Sequence, residues 1–201
     1  MWHHQARLLL LPRIGESQPC ARLHREEENG GHRLPGGEHM PTMAWVPGLR
    51  PLDYGPAAVS EVIQLFKDET GERYAEASVR HLPIPEWNGN LILVDLDERE
   101  PRTIQGVFYG TPFMDDIARV AAFVVASEHQ GQGWGSEAWN RFNNEAWRKG
   151  FRRVQLEVKA SNQGAQRFYQ RRGLHIEQEL NGYYQSGLGY MMRGPLSPPF
   201  D

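Results

Sequence analysis

The chain has 201 residues, 39% of them hydrophobic, and a nearly balanced charge of 22 Lys+Arg against 25 Asp+Glu. That is enough for one sizeable core, and it gives no basic footprint for nucleic acid or an anionic membrane. No apolar run reaches the length of a membrane span, and the lone Cys20 excludes an intrachain disulfide and a Cys-based zinc site in the body of the chain. The expectations are a cytoplasmic protein with no metal, no nucleic-acid partner and no membrane partner.

Residues 1–43 differ in kind from the rest. They hold Gly30-Gly31, Gly36-Gly37, Glu26-Glu27-Glu28 and five of the eight histidines, and Leu8 to Leu11 is their only apolar run. Such a segment buries too little apolar surface to offset chain entropy, so it reads as a disordered tail, with Met40 or Met43 as alternative starts. A single domain is expected over 44–195, with 196–201 as a short C-terminal tail.

Within the domain, Trp45 to Leu52 reads as an edge strand because of its prolines. Asp53 is the expected cap of a helix whose stripe is Val59, Val62, Ile63 and Phe66, ended by Thr70-Gly71. Tyr74 to Leu82 reads as a second, short helix stopped by Pro83 and Pro85. Asn90 to Leu96 and Thr103 to Tyr109 are strand-like, and Thr111 to Asp116 is expected as a loop. Ala121 to Ala126 is an apolar strand, followed by alternating Gly131, Gly133 and Gly135 and then a helix with Ala138, Trp139, Phe142 and Ala146 on one face. Val154, Leu156 and Val158 alternate with polar Gln155, Glu157 and Lys159. Ser161 or Asn162 caps a last helix that Gly173 ends, and two strands near His175 to Glu179 and Tyr183 to Met192 follow. The expected fold is α/β with a mixed sheet, in the order β-α-α-β-β-β-α-β-α-β-β.

A buried strand, a glycine turn and a helix start make an anion cradle. Glycines bring backbone N–H groups close to one ligand, and the helix N-terminus adds unpaired donors and the positive end of its dipole. The segment Gln130-Gly131-Gln132-Gly133-Trp134-Gly135 also resembles the (Arg/Gln)-x-x-Gly-x-(Gly/Ala) signature of the GNAT superfamily of acyl-CoA N-acyltransferases. Leu156-Glu157-Val158, Ser161-Asn162, Phe168-Tyr169 and Gly173-Leu174 follow in that family's order. The specific match spans about Arg119 to Leu174, a looser one Ala44 to Arg193, and the nearest subgroup resembles the N-terminal protein acetyltransferases that act on a ribosomal protein's terminal alanine.

The resemblance implies acetyl-CoA as acyl donor, an amine acceptor and direct attack in a ternary complex. It implies that Phe123, Val124 and Val125 pair with the pantetheine arm, with an amide near Val125 serving the oxyanion. Gln130, Gly131, Gln132, Gly133, Trp134 and Gly135 would hold the pyrophosphate. Asn162 would contact pantetheine as well as cap its helix. Tyr169 sits where the family places a tyrosine hydroxyl at the thioester sulfur, and a phenol stays protonated at neutral pH, as a general acid must. Glu157 lies twelve residues earlier, as in that subgroup, and is the candidate base; Glu128 and His129 are further candidates. The junction of the first two helices, Phe66 to Tyr74, would wall the acceptor site, and Tyr183, Tyr184 and Tyr190 are candidates for its lining. The chain departs from the subgroup in carrying Leu188-Gly189 where an acidic pair is usual, which leaves the acceptor open.

Three other readings remain at this level. A Rossmann-type nucleotide binder shares the strand, glycine turn and helix, but its third glycine would fall on Ser136. A non-catalytic acyl-CoA-binding module keeps the fold and loses the activity. Within enzymes, a small-molecule amine is the alternative acceptor.

Overall fold

The computed structural model describes residues 42–48, 55–82, 87, 89–99, 102–184 and 187–198. The expected tail over 1–43 lies almost wholly outside them. The elements are β1 (Met43–Pro47), α1 (Pro56–Thr70), α2 (Glu76–Arg80), β2 (Leu91–Asp95), β3 (Gly106–Met114), β4 (Ile117–Val125), α3 (Trp134–Arg148), β5 (Arg153–Lys159), α4 (Gln163–Gln170), β6 (His175–Tyr184) and β7 (Gly187–Pro195). This is the order read from the sequence, with one added 3-10 turn at Ser127–His129. The strands form one mixed seven-stranded sheet in the order β1-β2-β3-β4-β5-β7-β6. Among its described pairings only β4 with β5 is parallel, so this is not the doubly wound parallel sheet of a Rossmann domain.

Four boundaries differ from expectation. Helix α1 is capped by Gly55 with no side-chain bond and opens on Pro56. Proline suits the first helical turn, where its missing N–H is unneeded, and Asp53 lies outside the described residues. The expected loop from Thr111 is mostly strand, because β3 runs on to Met114 and turns through Asp115 and Asp116. The first strand ends at Pro47. Tyr183 and Tyr184 finish β6 and do not open β7.

Each face of the sheet carries its own core. One packs Phe108, Ala118, Val120, Val154, Leu156 and Val158 against Trp139 and Phe142 of α3 and Tyr169 of α4. The other packs Val107, Tyr109 and Val124 against Val59, Val62 and Phe66 of α1 and Val79 of α2. Both helix layers meet the sheet at β3, which is why Gly106 to Thr111 of that strand are wholly buried and read as apolar on both faces. Gly110 makes the tightest approach. A Cβ there would stand 2.8 Å from Phe142 Cδ2 and 2.9 Å from Trp87 Cζ2, and the Trp87 Nε1–H donates to the Gly110 carbonyl at 3.1 Å.

The feature that makes a site is an irregularity in β4. Tyr109 pairs with Ala122 while its neighbour Gly110 pairs with Val120, so Ala121 is an extra residue in β4. Such a bulge bends a strand and shifts its alternation. Before it, Ala118 and Val120 face the α3 side; after it, Phe123 and Val125 do, and Ala121, Ala122 and Val124 face α1. Pairing of β4 with β5 stops at Val120↔Leu156, while β5 continues against β7 through Glu157, Val158 and Lys159. The sheet opens there into a fork.

Candidate active site

One arm of the fork is Ala121 to Val125. The Ala126 N–H donates to Gln105 O at 2.8 Å across the β3 edge. Backbone groups of successive strand residues point to alternate edges, so the amides of Phe123 and Val125 are directed to the open edge. Beyond the 3-10 turn, Gly131 and Gly133 adopt φ of 75° and 95°, which non-glycine residues resist. Gly133 is the N-cap of α3 and brings no side-chain oxygen to it. The N–H groups of Ser136 and Glu137 return to the Gly133 carbonyl. Among the described residues, no hydrogen bond takes up the amides of Gly131 through Gly135. A Cβ at Gly131 or Gly133 would meet only open space. Unpaired donors at a helix N-terminus, bordered by a void, fit a diphosphate.

The side chains of this segment have other duties. Gln130 Nε2 donates to Val125 O at 2.8 Å and to Glu69 Oε2 at 3.1 Å. Glu69 Oε1 accepts from the Ser127 N–H at 2.8 Å, so the last turn of α1 holds the start of the loop. Gln132 Nε2 donates to Glu128 O at 2.8 Å, which braces the turn from within. The Trp134 indole packs on the core, with its Nε1 buried and unpaired, so only its backbone belongs to the cradle. Glu128 and His129 lie on the 3-10 turn, Glu128 exposed.

The other arm carries Glu157, on the face of β5 opposite Val158. Its Oε2 accepts from Arg119 Nε at 3.0 Å and from Nη2 at 2.6 Å, and its Oε1 receives a longer bond, 3.4 Å, from Gln155 Nε2. Arg119 Nη2 also donates to the Tyr183 hydroxyl at 3.1 Å. Burial works against the Arg119 charge, yet Glu157 and Tyr183 outweigh it and hold the guanidinium above its ordinary value. The Tyr183 phenol is pushed up to about 12 by burial and by the Glu157 charge, against the pull of Arg119. Tyr184 is raised further, by burial first and then by Tyr183, Tyr74, Glu157 and Tyr169. Tyr74, in the segment joining α1 to α2, is raised by burial and by Glu72.

Tyr169 approaches from the α4 layer. It is buried, its ring meets Trp139 at 5.7 Å and Phe168 at 5.3 Å, and burial holds its phenol well above the ordinary value. Asn162 is the cap of α4, its Oδ1 accepting from the Ala165 N–H at 3.0 Å, which decides between it and Ser161. Tyr190 leaves the expected lining: it pairs with Val158 and packs on the α3 and α4 side. Arg119, Glu69 and the ion pair of Lys159 with Glu72 were not singled out in the sequence. A lone charge inside the apolar run Ile117 to Val125 was the available signal for Arg119.

At this end of the sheet a bulged strand thus opens beside a glycine cradle, with a tyrosine from one layer and a paired carboxylate from the other. A profile of the acetyltransferase (GNAT) family matches residues 59–174, and the chain belongs to that family. It is an N-acyltransferase that takes acetyl-CoA as its acyl donor. No curated protein sequence matches the chain detectably. Among solved structures it is similar to Ard1 from Thermoplasma volcanium, with 22% identity, a TM-score of 0.63, and coverage of 78% of this chain and 99% of that one. It is also similar to the NatC complex bound to Gag peptide and CoA, with 18% identity, a TM-score of 0.64, and coverage of 77% and 99%. The ribosomal-protein-S18-alanine N-acetyltransferase of Escherichia coli shows 16% identity, a TM-score of 0.60, and coverage of 79% and 97%. These likenesses are of fold. Among the described residues no helix is long and apolar enough to cross a membrane.

Proposed function

We propose that the chain acetylates the α-amine of a protein or peptide N-terminus. The observation that carries this reading is the charge state of the acceptor wall. Of its carboxylates, Glu157 and Glu72 are each committed to a cation, Arg119 and Lys159, while Glu69 is taken up by the Ser127 N–H and the Gln130 amide and Asp68 by the Gln64 amide. Beside them stand the phenols Tyr74, Tyr183 and Tyr184, all held neutral. A polycationic amine needs uncompensated carboxylates to bind, whereas a chain terminus brings one amine and a backbone that phenols can hydrogen-bond. The resemblance to an alanine N-acetyltransferase and to NatC with a bound peptide supports the same class.

In this reading the cradle amides of Gly131 to Gly135 and the open edge of Phe123 to Val125 hold the donor, with Asn162 at its pantetheine end. When bound, the donor supplies an activated acetyl carbonyl. The Val125 amide is aimed to stabilise charge on that oxygen. Glu157 accepts the proton that the amine loses as the C–N bond forms. Its Oε1 is the oxygen for this, since Oε2 already accepts two bonds from Arg119. Tyr169 donates a proton to sulfur as the C–S bond breaks. Burial that raises this phenol also raises the proton affinity of a thiolate held beside it, so the two remain matched. With no cysteine in the described residues, transfer is direct, in a ternary complex.

The test is thiol release with acetyl-CoA over a panel of short peptides with free N-termini, their N-blocked counterparts, spermidine and an aminoglycoside. Turnover of free-terminus peptides alone is expected. Preferential turnover of the polycations would replace this reading with that of a small-molecule acetyltransferase.

A further inference from the structure

The last turn of α1 and the residues after it touch both arms of the fork. On the β4 side, Glu69 accepts from the Ser127 N–H and from Gln130 Nε2, at 2.8 and 3.1 Å. On the β5 side, Lys159 pairs with Glu72 at 2.8 Å and also donates to the Thr70 carbonyl. Four residues thus span a gap that the sheet itself leaves unpaired beyond Val120 and Leu156. The Lys159 and Glu72 side chains are only 15% and 8% exposed, and the ammonium stands 5.7 Å from the Tyr184 ring. Lysine and glutamate are seldom buried to this degree unless paired, and the desolvation of such a pair offsets much of its attraction. Its contribution is therefore to geometry more than to stability.

We propose that Lys159 is a positioning residue that sets the shape of the acceptor slot. Through Glu72 and the Thr70 carbonyl it holds the α1–α2 segment, and with it Tyr74, against the end of β5 next to Glu157 and Tyr184. The donor cradle is anchored separately, through Glu69. Lys159 therefore governs acceptor binding and leaves donor binding alone. This inference rests on the reading that the α1–α2 segment and the end of β6 form the acceptor wall.

The experiment compares the parent with Lys159→Met, which keeps the stem and removes the charge, and with Glu72→Gln, which keeps the volume. The acetyl-CoA Kd is read by calorimetry, KM and kcat are read on the best peptide of the panel above, and hydrogen exchange is followed at amides 70–75. For Lys159→Met the expected result is a KM raised on the order of tenfold, kcat within about threefold, an unchanged acetyl-CoA Kd and faster exchange confined to 70–75. Glu72→Gln is expected to show the same pattern at smaller amplitude, because Lys159 keeps its bond to Thr70, and it serves alone if Lys159→Met does not fold. Unchanged KM with normal exchange overturns the proposal. So does an equal loss in acetyl-CoA affinity, which would mean that the strut is a general scaffold. Failure of the acceptor reading shows separately, as a parent enzyme that turns over no peptide at all.

Discussion

Arg119 and Glu157 meet across the parallel pairing of β4 and β5, Arg119 one residue before the last rung, Val120↔Leu156, and Glu157 one residue after it, with the guanidinium Nε and Nη2 on a single carboxylate oxygen. The guanidinium makes the carboxylate directional, because one oxygen takes both of its bonds and the other accepts only the longer 3.4 Å bond from Gln155.

Arg119→Met should therefore damage both fold and chemistry. It leaves a carboxylate that is 11% exposed without its cation, at a cost of about 1–3 kcal/mol given partial solvent access. It also frees Glu157 to rotate. The expected outcome is a lower urea midpoint and kcat/KM reduced on the order of a hundredfold. Glu157→Gln should lose turnover most at low pH, where few amines are already neutral, and regain part of it as pH rises. A flat ratio to the parent between pH 6 and 9 would remove Glu157 from the proton path.

Tyr169→Phe should leave acetyl-CoA affinity intact and lower kcat on the order of a hundredfold at every pH, with no recovery at high pH. The pH dependence of stability follows from the same burial. Tyr169 in the folded chain keeps its proton above the ordinary phenol value, so above about pH 10 the unfolded chain binds fewer protons than the folded one. Stability is untouched below that pH and falls as pH rises past it, by up to about 1.4 kcal/mol per pH unit for this group. Urea titrations at pH 8 and pH 10.5 should show a smaller drop for Tyr169→Phe than for the parent.

Gly133→Glu addresses the cradle. Its φ of 95° makes any side chain there cost about 1–2 kcal/mol, and the carboxylate would project where an anion is expected. Acetyl-CoA Kd should rise at least a hundredfold, read by calorimetry on a variant shown to be folded. Gly133→Ala separates the two effects: it should carry the strain and only a modest loss of affinity. Equal affinities for parent and Gly133→Glu would move the phosphate site elsewhere.

Gly110→Ala is a packing prediction far from charge. One methyl would be forced within 3 Å of both the Phe142 and Trp87 rings, so α3 must lift from β3. A loss of about 1–3 kcal/mol is expected from overpacking, measurable as a lower melting temperature.

Much of this architecture was legible because apolar period and punctuation agree. The stripe on α1, the face of α3 and the alternation of Val154, Leu156 and Val158 each follow from one repeat, and the glycine cradle is contiguous in sequence. What could not be read were relations between distant segments. Glu69 reaches Gln130 across 61 positions and Arg119 reaches Glu157 across 38, and neither pairing leaves a local mark. Propensity alone favours Asp53 as a cap, whereas the backbone at Gly55 and Pro56 starts the helix. Residue type alone groups Tyr190 with Tyr183 and Tyr184, yet its pairing with Val158 puts it on the α3 and α4 side.

The surplus residue at Ala121 has a consequence for how this chain can vary. Its side chain is a methyl group and does nothing chemical. Its presence shifts the phase of β4 by one and ends the pairing with β5. A deletion there would keep Phe123, Val124 and Val125 facing the layers they face now and in the same register with β3, but it would remove the bend and let the two strands zip on past Leu156. The slot depends on a count. Substitutions along this strand can be graded, but a single-codon loss at this point converts a fork into an uninterrupted sheet, with every other residue of the site still in the sequence.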